Sequence, residues 1–476
     1  MRDHFTHLDP SERLQIAYTA KPVSGWGGLV ALARYFDHLG LRALLEQALP
    51  DGRTSPNQIP VVEIVLAFFA AVLTGATRFA HVERLRADAV VRTILGVPRL
   101  PSAMTVTRYL GGFVRSQVEH LAAVCWRFTL ARLQPVPLGA VLDLDSTVFE
   151  RYGHQEGALK GHNPRKHGRP SRHPLLAILA EAKVVCHAWL RSGNTGTARG
   201  VEAFLAETLA TLPHDYRLYA LRADSGFFVT EFIATLESRG LPYAIAVRMN
   251  RLVHRQLVGL TAWRSFGPGL EVVEKSYQAL RWPSPRWLVV VRERIAERPE
   301  ARGRQLFEVP GYTFHAVVTS LALPPEAVWR FYNGRAESEN RFKELKAAFG
   351  AGGFCLAAFD GTEAAFRLLC VLFTLVALFK RDVTGNDRPQ LPMLRSRLLV
   401  VGAILGARNR RPVLRLGLTG RAQTVFATLL ARIAVHVRPT VAQFRNWAAT
   451  HGWSPPTPWR ARKVRRAFPQ LQLRLN

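Results

Sequence analysis

Between Gly139 and Val247 the chain alternates in a way that leaves few folds open. GAVLDLDSTVF (139–149) is a short apolar run with two aspartates at alternate positions, and strand-like runs follow at Leu175–Leu179 and Val184–Arg191. Gly200–Leu212 then has the apolar spacing of an amphipathic helix. Arg217–Arg222 reads as a strand, Thr230–Arg239 as a helix and Tyr243–Val247 as a strand. A period near 2 therefore gives way repeatedly to one near 3.6, which places helices over the faces of a sheet. The fold class expected is α/β, in the order three strands, helix, strand, helix, strand. Strands this apolar are buried on both faces, so carboxylates within them need a cation or strong hydrogen bonds.

The flanks are of a different kind. Residues 1–137 read as a helical amino-terminal, DNA-binding region. Pro101–Phe113 in it resembles the second half of a helix-turn-helix with Ser102 as N-cap. EVVEKSYQAL, RWLVVVRERI and GYTFHAVVTSL, separated by Gly and Pro, make 252–324 a β-rich insertion between core segments 138–251 and 325–385. A basic, helical carboxy-terminal region, 386–476, is expected to bind DNA or to dimerise.

Charge narrows the partner. The chain carries 64 Lys and Arg against 35 Asp and Glu, a formal excess of +29, and only nine of the 64 are lysines. Solubility needs a small fraction of that, so the excess points to a polyanion, and arginine suits bidentate contacts to phosphate. The four cysteines form no CxxC, which supports neither a zinc site nor a disulfide framework. The polar start, MRDHFTHLDPSER, lacks an apolar signal core, and the apolar runs Val61–Leu73 and Leu368–Phe379 are too short to span a bilayer. A cytoplasmic, nucleoid-associated protein with no membrane partner is expected.

Three carboxylates stand where structural economy would not put them. Asp145 and Asp224 each end an apolar strand, in DST and RADSGF. Asp143 shares a strand face with Asp145, so either could be the functional group, with the DST setting favouring Asp145. Glu339 lies within YNGRAESENRFKELK (332–346), where Tyr332, Arg335, Glu339 and Lys346 are spaced by 3, 4 and 7 residues. At about 100° per residue these offsets fall on one helical stripe. Carboxylates converging at one sheet edge supply hard oxygen ligands for divalent metal, and two metals can serve an in-line phosphoryl displacement.

These motifs resemble those of bacterial insertion-sequence transposases of the DDE class, in the branch marked by Tyr-x2-Arg-x3-Glu-x6-Lys. Tyr332, Arg335, Glu339 and Lys346 match that motif without a gap, and DST and RADSGF match the two aspartate motifs, over roughly Leu138–Phe379. The resemblance implies a ribonuclease-H-like catalytic core carrying a β-rich insertion. It implies a DNA transposase that binds the terminal inverted repeats of its element, cleaves the ends by two-metal hydrolysis and joins the 3′-hydroxyls to target DNA. Asp145, Asp224 and Glu339 would be the catalytic metal ligands, and Tyr332, Arg335 and Lys346 would contact phosphates of the element's end. Two Mg2+ ions, or Mn2+ in their place, and a homodimer on double-stranded DNA are implied as well. Another ribonuclease-H-like nuclease and a non-catalytic DNA-binding descendant are the alternatives. The His-rich loop GHQEGALKGHNPRKHGRPSRH matches none of the motifs and reads as DNA-facing.

Overall fold

A computed structural model describes residues 18–435, apart from 53–54, 56, 162, 164–165, 280–281 and 295–310. The polar start and the basic tail beyond residue 435 lie outside the described residues. The described residues form two compact units: Trp126–Phe342 makes one, while residues 18–125 join with 343–435 in the other.

The first unit is built on a nine-stranded sheet. Its inner part holds β1 (Ala140–Ser146), β2 (Leu175–Leu179), β3 (Val184–Trp189), β4 (Leu218–Ala223) and β5 (Tyr243–Ala246). Helix α1 (Val201–Thr211) precedes β4, and α2 (Thr230–Ser238) connects β4 to β5. The spatial order is 3-2-1-4-5, with β2 antiparallel to its neighbours and β1, β4 and β5 parallel. The sheet is mixed α/β, and along the chain its inner elements come in the expected order of three strands, helix, strand, helix, strand. β1 sits at its middle, and Ala140–Leu144 are buried throughout, Asp143 included.

The segment after β5 extends the same sheet. It opens with helix α3 (Arg251–Val258) and continues through β6 (Arg264–Gly267), β7 (Leu270–Tyr277), β8 (Arg286–Arg294) and β9 (Tyr312–Thr319). β9 returns antiparallel against β5, pairing Val317 with Ala246, so the sheet grows outward from β5 through β9, β8, β7 and β6. Val272, Val289, Val291 and Val317 form a core with Ala244 and with Val328 of α4 (Pro325–Asn333). Pro325, which lacks an N–H, suits the first turn of that helix.

The stripe expected on one helix is divided between two. Tyr332 lies in the last turn of α4, whereas Arg335, Glu339 and Lys346 lie on α5 (Arg335–Ala347), with Gly334 between. In an unbroken helix the Phe331 carbonyl would accept from the N–H four residues on. Here it accepts from Arg222 Nη1 at 2.7 Å. A Cβ at position 334 would stand 2.4 Å from that nitrogen, so glycine is what lets the arginine reach it.

The second unit is mainly helical. Its helices include Leu29–Leu39, Val61–Leu73, Ala103–Gly111 and Phe359–Phe379. Phe68, Phe79 and Phe354 meet in its core with ring centroids 4.9–5.7 Å apart. Ser102 Oγ caps Ala103–Gly111 by accepting from the Thr105 N–H at 3.1 Å, as its position in the sequence suggests. The apolar run at Leu368–Phe379 belongs to a longer element than expected. Phe359–Phe379 has 21 residues, long and apolar enough to cross a membrane, yet Gly361–Phe379 is buried. The carboxy-terminal region is not purely helical either. Strands Ala403–Arg408 and Arg411–Leu416 form a hairpin, turned by Asn409 and Arg410 at φ 50° and 62°, before helix Gly420–Val435.

Candidate active site

β1 and β4 run parallel, and both release their last residues at the same end of the sheet. Leu144 pairs with Ala223, which leaves Asp145 and Asp224 as the next residue of each strand. Asp224 accepts from the Gly226 N–H at 2.9 Å and so caps the short turn Ser225–Phe227. A Cβ at Gly226 would meet Thr197 at 2.7 Å, so this turn is packed against the 197 loop. The Thr197 hydroxyl lies 3.4 Å from Ser146 Oγ, beside Asp145. Asp145 accepts in turn from the Ser146 N–H at 2.9 Å, so each aspartate bonds a backbone N–H close to it in the chain.

Arg335 joins the third carboxylate to them. Its Nη2 lies 3.0 Å from Asp145 Oδ1, and its Nη1 lies 2.5 Å from Glu339 Oε1, one helical turn further along α5. The guanidinium is buried, while the Glu339 side chain is 45% exposed. Burial works against the Arg335 charge, but Asp145, Tyr332, Asp224 and Glu339 outweigh it and hold its pKa raised. Burial also pushes Asp145 up from 3.8 to about 7; Arg335 opposes this, and Asp224 and Glu339 add to it. Tyr332 is raised too, by burial and by the same three carboxylates against the pull of Arg335. The structure thus brings together Asp145, Asp224, Glu339, Arg335 and Tyr332. Lys346 lies further along α5, in the chain segment that belongs to the other unit.

Asp143 has a different setting. It is fully buried and takes a bidentate pair from Arg222, Nε to Oδ1 at 2.6 Å and Nη2 to Oδ2 at 2.7 Å. The Ser338 hydroxyl also donates to Asp143 Oδ2. Its oxygens are committed within the fold, whereas Asp145 and Glu339 share one guanidinium. Neither Arg222 nor Ser338 was singled out from the sequence. The available signal was an arginine inside the apolar strand LYALRA, two places before Asp224.

Three carboxylates and one arginine leave this end of the sheet short of positive charge. Among the described residues, no three His, Cys, Asp or Glu side chains stand ready as a metal cage. Arg335 bridges two of the carboxylates instead. The donor set nonetheless suits a hard divalent cation: all oxygens, from two strand ends and a helix, with burial first and the neighbouring carboxylates second making Asp145 hard to ionise. The raised pKa of Asp145 has a measurable consequence in metal-free protein. The folded pKa of Asp145 lies above its unfolded value, so the folded state binds the proton more tightly, and stability falls as pH rises from about 4 to about 7. Asp145→Asn is expected to melt higher than wild type at pH 8 in EDTA, and the gap should narrow towards pH 4. Scanning calorimetry at both pH values checks this, and a lower melting point at pH 8 would contradict it.

The His-rich loop is part scaffold. Leu159–Lys160 and Phe149–Glu150 flank Pro170–Arg172 in a small antiparallel sheet. His173 is buried, its Nδ1 lying 2.7 Å from the Thr195 carbonyl. Of the tryptophans near the insertion, Trp282 is core, packed by Phe228, Tyr277 and the Arg286 guanidinium. Trp329 is partly buried and stacks on Tyr332 at 6.2 Å.

No curated protein matches the chain. Among solved structures it is similar to piggyBac transposase, determined by cryo-electron microscopy as a synaptic complex with hairpin DNA. That match has 11% identity and a TM-score of 0.42, over 95% of this chain and 87% of that one. The family described as transposase DDE domain group 1 matches residues 6–438, nearly the whole length, and the chain belongs to that DDE transposase family.

Proposed function

We propose that this protein binds the terminal inverted repeats of a bacterial insertion sequence, cuts the DNA at the element's ends and joins the freed 3′-hydroxyls to target DNA. Its place in the DDE transposase family supports a nuclease reaction on DNA. The observation that carries the finer reading is the convergence of Asp145, Asp224 and Glu339 on one buried arginine at the strand ends. Asp145 and Asp224 of the strand ends and Glu339 of α5 would hold two Mg2+ ions, with Mn2+ as a substitute. Bound there, the metal would lower the pKa of the attacking water or hydroxyl and offset charge on the leaving oxygen.

The remaining roles belong to side chains of this chain. Asp145, whose pKa burial raises to about 7, would be held as an anion by cationic charge shared with it. With cationic charge shared among Asp145 and Glu339, the two Nη donors of Arg335 would be available to a phosphate, a geometry arginine suits. Tyr332 adds a hydroxyl on the same side, and Lys346 adds a point charge along α5. Each subunit of a homodimer would hold one element end, working on DNA in the cytoplasm.

Lys346 gives a direct test of DNA contact, because it lies seven residues beyond Glu339 on α5 and is not one of the proposed metal ligands. Lys346→Ala should weaken binding to a duplex carrying the element end and reduce the salt slope, −d log K/d log[salt], by about one for a single lost phosphate contact. Fluorescence anisotropy over a salt series reads both. An unchanged slope would remove Lys346 from the interface.

A further inference from the structure

The structure assigns a positioning role to the buried network Asp143–Arg222–Ser338: it sets the three proposed metal-binding carboxylates at their mutual spacing. The inference rests on the proposed function above and deepens it.

Each member of the network is a close sequence neighbour of one carboxylate. Asp143 is two residues before Asp145 on β1, Arg222 two before Asp224 on β4, and Ser338 one before Glu339 on α5. Asp143 and Arg222 are directly paired in the parallel ladder, so their ion pair lies one full side-chain step inside the strand ends. Two hydrogen bonds of 2.6 and 2.7 Å fix the guanidinium plane to the carboxylate. The remaining Arg222 nitrogen, Nη1, holds the Phe331 carbonyl at the end of α4. The Ser338 hydroxyl closes the network from α5. Arg222 is 5% exposed, Ser338 2% and Asp143 not at all.

The consequence is geometric. Nothing in a sheet fixes where a helix arriving after a long insertion will stop along the strand ends. Here the helix break at Gly334 and the first turn of α5 are both fastened to one side-chain pair on β1 and β4. Glu339 follows Ser338 directly, so its height relative to Asp145 and Asp224 is set by the hydroxyl that Asp143 accepts. Groups that orient metal ligands in this indirect way typically change metal affinity by about 10- to 100-fold when removed.

The test is Ser338→Ala in the full-length protein, beside Thr208→Val as a control. Thr208 is a buried hydroxyl on α1 that bonds the Phe204 carbonyl at 2.7 Å and has no link to the network. Mn2+ uptake is read directly from the electron paramagnetic resonance signal of the free ion, and thermal melting reports the fold. Ser338→Ala is expected to bind Mn2+ about tenfold more weakly, with element-end binding kept, while Thr208→Val retains wild-type affinity. Wild-type Mn2+ affinity in Ser338→Ala, or an equal loss in Thr208→Val, overturns the positioning role and leaves the proposed function standing. Failure of the wild-type protein to take up Mn2+ overturns the proposed function, and this inference with it.

Discussion

Replacing Arg222 with methionine is expected to destabilise the sheet unit by about 3–5 kcal/mol, the usual cost of leaving one partner of a buried ion pair alone. Methionine fills much of the same volume, so the loss does not come from a cavity. It comes from Asp143, which stays buried between β2 and β4 with the Ser338 hydroxyl as its one remaining donor among those bonds. The Phe331 carbonyl loses its donor as well. Because the penalty lies in the stranded charge, removing both partners should recover much of it: Arg222→Met with Asp143→Leu is expected to be more stable than Arg222→Met alone. Urea unfolding followed by tryptophan fluorescence measures the difference. A double variant less stable than the single one would show that the stranded Asp143 carboxylate is not the source of the loss.

The order of elements in the core was legible because each element is long and apolar enough to carry its own period. β1 to β5 and the two helices among them fall close to where alternation places them, and β7, β8 and β9 match the three β-type runs of the insertion. What periodicity cannot show is which edge an extra strand will choose. β9 pairs with β5 because its apolar Ala316–Val318 segment continues a buried surface, and that is a tertiary choice. The break at Gly334 was likewise hidden. A single glycine inside a helical pattern is tolerated, and the group that takes the Phe331 carbonyl comes from a strand 109 residues earlier.

The chemistry of the site divides in the same way. Residue type and order were enough to single out Asp145, Asp224 and Glu339, and the structure brings their charges into mutual range. Between Asp143 and Asp145 the sequence offered only setting, since both occupy one strand face. The partner that separates them, Arg222, becomes visible once the register between β1 and β4 is known. Arg335 was expected to face phosphate. In the folded chain it is buried against Asp145 and Glu339, a pairing that spacing alone could suggest only for Glu339. His173, one of a loop that reads as DNA-facing, is buried against a backbone carbonyl.

Glu339→Gln is expected to abolish strand cleavage while leaving DNA binding nearly intact. Glutamine keeps the length and one acceptor oxygen of the side chain but removes the charge that, with Asp145 and Asp224, makes this strand edge a cation site. The fold should tolerate the change, because the Glu339 side chain is 45% exposed and Arg335 keeps its contact with Asp145. The most direct measurement is cleavage of an end-labelled duplex that carries the element's terminal repeat and flanking DNA, with wild type and Glu339→Gln compared in Mg2+ and in EDTA. The expected result is cutting at the element boundary by wild-type protein in Mg2+ alone, with none by Glu339→Gln at concentrations that saturate binding. Cutting by Glu339→Gln at the wild-type rate, or by wild type in EDTA, would contradict a metal-dependent site built on Asp145, Asp224 and Glu339.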